Sequence, residues 1–216
     1  MLPVCWTLVD TSTSPTDYAD TLFQLGKTFG EVLSRKLKNS QTVTLACTVE
    51  DADYLCRGIL EQLNLHSVEV RLVVFWNKRF NAGSENKIPV APILKEYHED
   101  HYDQSKVIVV VKSIISSSCV VRTNLTHLIE RVTPQQIFVV APVLLKGATT
   151  DLEQEFDQSI SEKFEYLYFA EDSESNQQGI VFPGIGGDVY VRLGYEDQAD
   201  KNRYVPQLVK ERRKAK

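Results

Sequence analysis

Three consecutive serines, Ser116-Ser117-Ser118, follow an apolar run and lead into Cys119. Unpaired backbone N–H groups and hydroxyls at the start of a helix favour an anion, because their dipoles converge there. Lys112 and Ser113 stand just upstream, so an ammonium and a further hydroxyl border the same loop. The chemistry these residue types could do is to seat a phosphate group, held by Lys112, Ser113, Ser116, Ser117, Ser118 and Cys119. The plainer alternative is a helix entry whose hydroxyls satisfy its own N–H groups. A thiol beside a helix start can have its pKa lowered, yet an inert core residue is the commoner use of a cysteine like Cys119.

Other clusters invite the same comparison. Glu50, Asp51 and Asp53 could hold a cation or a basic partner, or simply complement the dipole of a following helix. His98 and His101 are three apart among carboxylates, which are ligand types for zinc. A solvated polar loop is the commoner reading of Tyr97 to Asp103, and no metal site is expected. Pro183-Gly184-Ile185-Gly186-Gly187 requires unusual backbone angles, so it is a built turn, with or without a ligand. The basic end, Lys210 to Lys216, reads as a frayed, solvated terminus.

These candidates need elements to position them. Asp17 to Lys38 places Leu22, Leu25, Phe29, Val32, Leu33 and Leu37 on one stripe of a helix, started by Pro15-Thr16-Asp17. Thr42–Cys47 and Val68–Trp76 are β-prone, and a helix over Ala52–Leu63 separates them. Lys78–Lys87 is a polar loop. Lys106–Val111 is nearly uninterrupted branched residues, the mark of a central parallel strand buried on both faces. A helix over Val121–Val132, stopped by Pro134, leads to a strand over Gln136–Leu145. A helix over Asp151–Phe164 and a strand over Tyr166–Ala170 complete the alternation. Such an order predicts an α/β doubly wound, mostly parallel sheet, with ligands beyond the carboxyl ends of its strands.

The 216 residues suit a single domain. A net charge of −5 argues against general nucleic-acid binding, which needs a basic face. Cys5, Cys47, Cys56 and Cys119 form no C-x-x-C pair, so reduced thiols are expected. The longest apolar run is far short of a membrane span, and no secretory leader is expected.

The stretch Ile108-Val109-Val110-Val111-Lys112-Ser113-Ile114-Ile115-Ser116-Ser117-Ser118-Cys119-Val120 resembles the phosphoribosyl-binding loop of type I phosphoribosyltransferases. That family has four apolar residues, two acidic, two apolar, then a small Ala-Thr-Gly-Gly-Thr run opening a helix. The family's acidic pair grips the ribose hydroxyls and lies near the metal; here Lys112 and Ser113 replace it. An ammonium cannot accept hydrogen bonds from hydroxyls, and it repels magnesium. Gln178 to Asp188 resembles the closing segment of uracil phosphoribosyltransferases, with Gly187 where their first Asp falls and Asp188 displaced by one. The turn Thr48 to Asp53 matches in position only, since the family's turn is basic or glycine-containing and meets pyrophosphate.

The resemblance covers most of residues 17–194. It implies one phosphoribosyltransferase-like domain over 1–216, of which about 176–216 is a C-terminal flap and tail. Gly184, Gly186, Gly187 and Asp188 would contact ligand from that flap. The substituted acidic pair implies a non-catalytic protein that binds a phosphorylated small molecule or a protein partner, with no cofactor. The alternative is an active, uracil-like enzyme with a rearranged site, which would take magnesium. A cytoplasmic homodimer is expected from the same resemblance, without nucleic acid or membrane as partners.

Overall fold

The computed structural model describes residues 7–37, 42–80, 90–175, 181–182 and 189–214. Helix α1 spans Pro15–Lys36, and the Ser14 side chain caps it by accepting from the Asp17 N–H. Proline in its first turn has no N–H to leave unpaired. Tyr18, Leu22, Leu25, Phe29 and Leu33 recur every three or four residues and are all buried, so one stripe faces the sheet.

Strands β1 (Thr42–Thr48), β2 (Glu69–Asn77), β3 (Ile93–His98), β4 (Val107–Val111), β6 (Gln136–Val140) and β8 (Phe164–Leu167) form one sheet in the order β3-β2-β1-β4-β6-β8. Every pairing in it is parallel except that of β2 with β3. As expected, β4 lies in the interior of the sheet with all five residues buried. Val107, Val109 and Val111 join the core under α1, while Ile108 and Val110 join the core on the opposite face. Helix α2 (Arg57–Leu65) packs with α1, and helix α3 (Cys119–Ile129) covers the other face. The α1–α2 crossing is so close that a Cβ on Gly26 would meet the Leu55 carbonyl oxygen at 2.2 Å.

Several expected boundaries shift. The strand expected over Gln136–Leu145 is two, β6 and β7 (Val143–Leu145), broken at Ala141-Pro142. The same break separates β4 from β5 (Ile114–Ile115) at Lys112-Ser113, and β8 from β9 (Ala170–Asp172). The three short pieces pair in parallel in the order β5-β7-β9, the same order as β4, β6 and β8. They are continuations of those strands after a common kink, and the serine loop begins directly after β5.

The helix expected over Asp151–Phe164 is instead two short ones, α4 (Ala148–Gln154) and α5 (Gln158–Ser161), and Phe164 enters β8. The apolar spacing served a helix followed by a strand, with the Phe156 and Phe164 rings edge to face at 5.5 Å. Before α2, Val49–Asp51 is a 3-10 turn and Ala52–Cys56 a π turn, not regular helix. β3 was not expected; it is an edge strand whose side chains are mostly exposed, so it carries little apolar pattern.

A short antiparallel pair joins β10 (Glu174–Ser175) to β11 (Val181–Phe182). Helices α6 (Val189–Arg192), α7 (Gln198–Arg203) and α8 (Gln207–Lys214) follow. The basic end is docked through Lys214, not frayed: Leu208 and Val209 are buried, and Arg212 makes two hydrogen bonds to Glu99 at 2.6 and 2.7 Å. No described helix is long and apolar enough to cross a membrane.

Candidate functional site

At the carboxyl ends of β1, β2 and β4 the chain forms a small cleft lined by Glu50, Arg79, Lys112, Ser116, Ser117 and Lys201, among others. Parallel strands ending side by side put these residues together although they are far apart in sequence. The cavity is about 50 Å³, room for a few waters at roughly 10–15 Å³ each, and part of it opens to solvent.

Lys112 follows β4, and its N–H continues the ladder by donating to the Val140 carbonyl at 3.0 Å. Its ammonium turns toward the β1 turn and meets Asp51 at 2.8 Å and Glu50 at 3.2 Å. Asp51 is completely buried. Its carboxylate also accepts from the Thr48 hydroxyl at 2.7 Å and from the Ser113 N–H at 3.2 Å. From α7 the Lys201 ammonium lies 3.3 Å from Glu50 and donates to the Asn77 carbonyl, also at 3.3 Å.

Burial pushes the Glu50 carboxyl up, but the Lys112 and Lys201 ammoniums outweigh it and hold the group at about 2. Burial likewise lowers Lys112, and the Asp51 and Glu50 carboxylates override it and keep the ammonium above its ordinary range. Glu50 and Lys112 are therefore charged at neutral pH. Arg79 adds a third cation, and its guanidinium makes no ion pair among the described residues. Its backbone is gripped by Gln198, which accepts from the Arg79 N–H at 2.8 Å and donates to its carbonyl at 3.3 Å. Among the described residues, three cationic side chains then stand beside two carboxylates.

The residues expected to seat a phosphate are only partly brought together. Ser116 and Ser117 line the cleft. Ser118 is the residue before α3, and its side chain caps nothing; its hydroxyl lies 3.4 Å from Glu155 instead. Among the described residues, nothing accepts from the N–H groups of Ser116, Ser117 and Ser118. Ser113 is fully buried and holds Asp51 through its backbone, so its side chain does not line the cleft. Cys119 is buried, and burial is the largest influence on its thiol, which is pushed up rather than lowered by the helix start. Gly184, Gly186, Gly187 and Asp188 lie outside the described residues, although Val189 and Tyr190 just after them line the cleft.

Asp53 does not join its neighbours. Its carboxylate accepts from the Tyr204 hydroxyl at 2.6 Å and from the N–H groups of Gln207 and Leu208 at 2.8 and 2.7 Å, and so caps α8. The His98 ring packs at a tilt against Tyr102 at 4.9 Å, His101 sits in a left-handed turn at φ 64°, and the described residues contain no cluster suited to a metal. Arg79, Gln198 and Lys201 were not foreseen. Their only signal is tertiary, since α7 lies some ninety residues beyond β4.

No family model and no curated protein matches the sequence. Solved structures do match. The AQ2163 protein from Aquifex aeolicus superposes with a TM-score of 0.70 at 16% identity, over 89% of this chain and 95% of that one. The two share a fold. Phosphoribosyltransferases are also among the matches. Adenine phosphoribosyl transferase from Trypanosoma brucei gives a TM-score of 0.48 at 14% identity, over 72% of this chain and 66% of that one. Hypoxanthine-guanine phosphoribosyl transferase from L. donovani gives 0.44 at 11% identity, over 72% and 84%. Those two superpositions are too loose to bear on chemistry.

Proposed function

We propose that this chain is a non-catalytic phosphoribosyltransferase-like protein that binds the phosphate group of a small molecule in the cleft between β4 and α7. The observation that carries the reading is an exchange of charge between two loops. Where the resemblance expects an acidic pair, Lys112 and Ser113 stand; where it expects a basic or glycine-containing turn, Glu50 and Asp51 stand. The exchanged groups meet as ion pairs at 2.8 and 3.2 Å. The site's carboxylates are thereby paired with lysines, and a magnesium ion brought there would face three cations. Among the described residues nothing claims the N–H groups of the serine loop or the Arg79 guanidinium, and these, with the α3 N-terminus, would receive an anion.

Two measurements test this. Calorimetric titration with orthophosphate and nucleoside monophosphates should give weak binding that falls as salt is raised. Nucleobase-dependent release of pyrophosphate from phosphoribosyl pyrophosphate should be absent; turnover of about 1 per second or faster would establish the catalytic alternative. The homodimer rests on the resemblance, and light scattering at micromolar concentration checks it.

A further inference from the structure

The two oxygens of Glu50 have different surroundings. Oε1 lies 3.2 Å from the Lys112 ammonium. Oε2 has the Lys201 ammonium at 3.3 Å but makes no hydrogen bond in the described structure. Lys201 donates to the Asn77 carbonyl instead. Glu50 is only 7% exposed, yet it lines the cleft. Lys201 gives this oxygen an ion pair but no aligned hydrogen bond, so part of its lost hydration is not replaced, which is costly for a charged group. The neighbouring Asn77 amide, by contrast, exchanges hydrogen bonds with Asn124 at 2.8 and 3.1 Å.

We propose that Glu50 accepts a hydrogen bond from a hydroxyl of the ligand, so that the cleft selects small phosphate monoesters that also carry a hydroxyl over those that do not. The inference rests on the phosphate reading above and adds a second point of recognition to it. An ionised carboxylate is an acceptor only, so its partner must be a donor. Lys112 and Lys201 already crowd the site with positive charge, so a ligand ammonium is repelled and a neutral hydroxyl is not. Ser116, Ser117 and Arg79 line the same cavity of about 50 Å³, so the phosphate and the hydroxyl must be near one another in the ligand. The remainder of the molecule lies at the open mouth. Glu50 thus does for a hydroxyl what Lys112 and Ser113 cannot do, from a different loop.

The test uses the full chain and three probes: orthophosphate, propyl phosphate and glycerol 1-phosphate, titrated by calorimetry. Glycerol 1-phosphate should bind about tenfold tighter than propyl phosphate, which matches it in charge and chain length. In Glu50→Met the preference should fall to about one, while propyl phosphate binds more tightly because a negative charge has left the cleft. Should that variant not fold, Glu50→Gln should still reduce the preference, since a neutral acceptor makes a weaker bond. Equal binding of the two esters by the natural chain, with orthophosphate still bound, overturns the role of Glu50 and spares the phosphate seat. A preference that survives in Glu50→Met overturns it as well. Failure of all three probes to bind overturns the phosphate reading itself, and this inference with it.

Discussion

Replacing Lys112 by methionine removes the ammonium from two carboxylates that have almost no access to water. The Lys112 side chain is 12% exposed, that of Glu50 8% and that of Asp51 0%. Asp51 keeps the Thr48 hydroxyl and the Ser113 N–H, and Glu50 keeps Lys201, so the turn is not stripped of partners. Removing one member of a buried ion pair costs about 3–5 kcal/mol, because the remaining charge is left buried. In a chain of this size that corresponds to a fall in Tm on the order of 10 °C. The sign with pH follows. In the variant the carboxylates bind protons more readily, so the penalty is largest near pH 7 and shrinks as the pH drops and they are neutralised. Urea unfolding followed by tryptophan fluorescence is a suitable assay. Trp76 is buried and its indole donates to the Tyr204 carbonyl at 2.8 Å, so it reports on the sheet and the C-terminal helices together. Lys112→Met with Asp51→Asn should recover part of the loss. A penalty below about 1 kcal/mol at pH 7, or one that does not change between pH 7 and pH 4, would show that Lys112 is not what neutralises the turn.

Further outcomes follow from other contacts. The Glu50 carboxyl is held at about 2 against an ordinary 4.5, so its contribution, on the order of 3 kcal/mol, is present above pH 4.5 and lost as the pH falls toward 2. Acid unfolding of the natural chain should therefore be steep in that window, and shallower in Glu50→Gln. Asp53→Ala leaves the Gln207 and Leu208 N–H groups uncapped and should cost about 2 kcal/mol. Hydrogen exchange should locate that loss in residues 207–214 first. Gly58→Ala drives a Cβ to 2.2 Å from the Phe23 carbonyl oxygen, so the α1–α2 crossing must open, at a cost of about 1–3 kcal/mol or more in thermal unfolding.

The sequence by itself determined the layers. Runs such as Val107–Val111 are apolar at every position because both faces are covered, and α1 shows its stripe because only one of its faces is. The serine loop was legible for the same reason: it must follow a buried strand and open a helix. Where exposure dilutes the pattern, as in edge strand β3, sequence periodicity has nothing to register. Only the tertiary structure decided the charges. Glu50, Asp51 and Asp53 look alike within a stretch of four residues, yet two neutralise Lys112 and the third caps a helix more than 150 residues away. Side-chain chemistry fixes what a carboxylate can do. Which cation or N–H group it meets depends on the order in which parallel strands lie side by side and on where α7 and α8 return to the sheet, and neither is written in the local sequence.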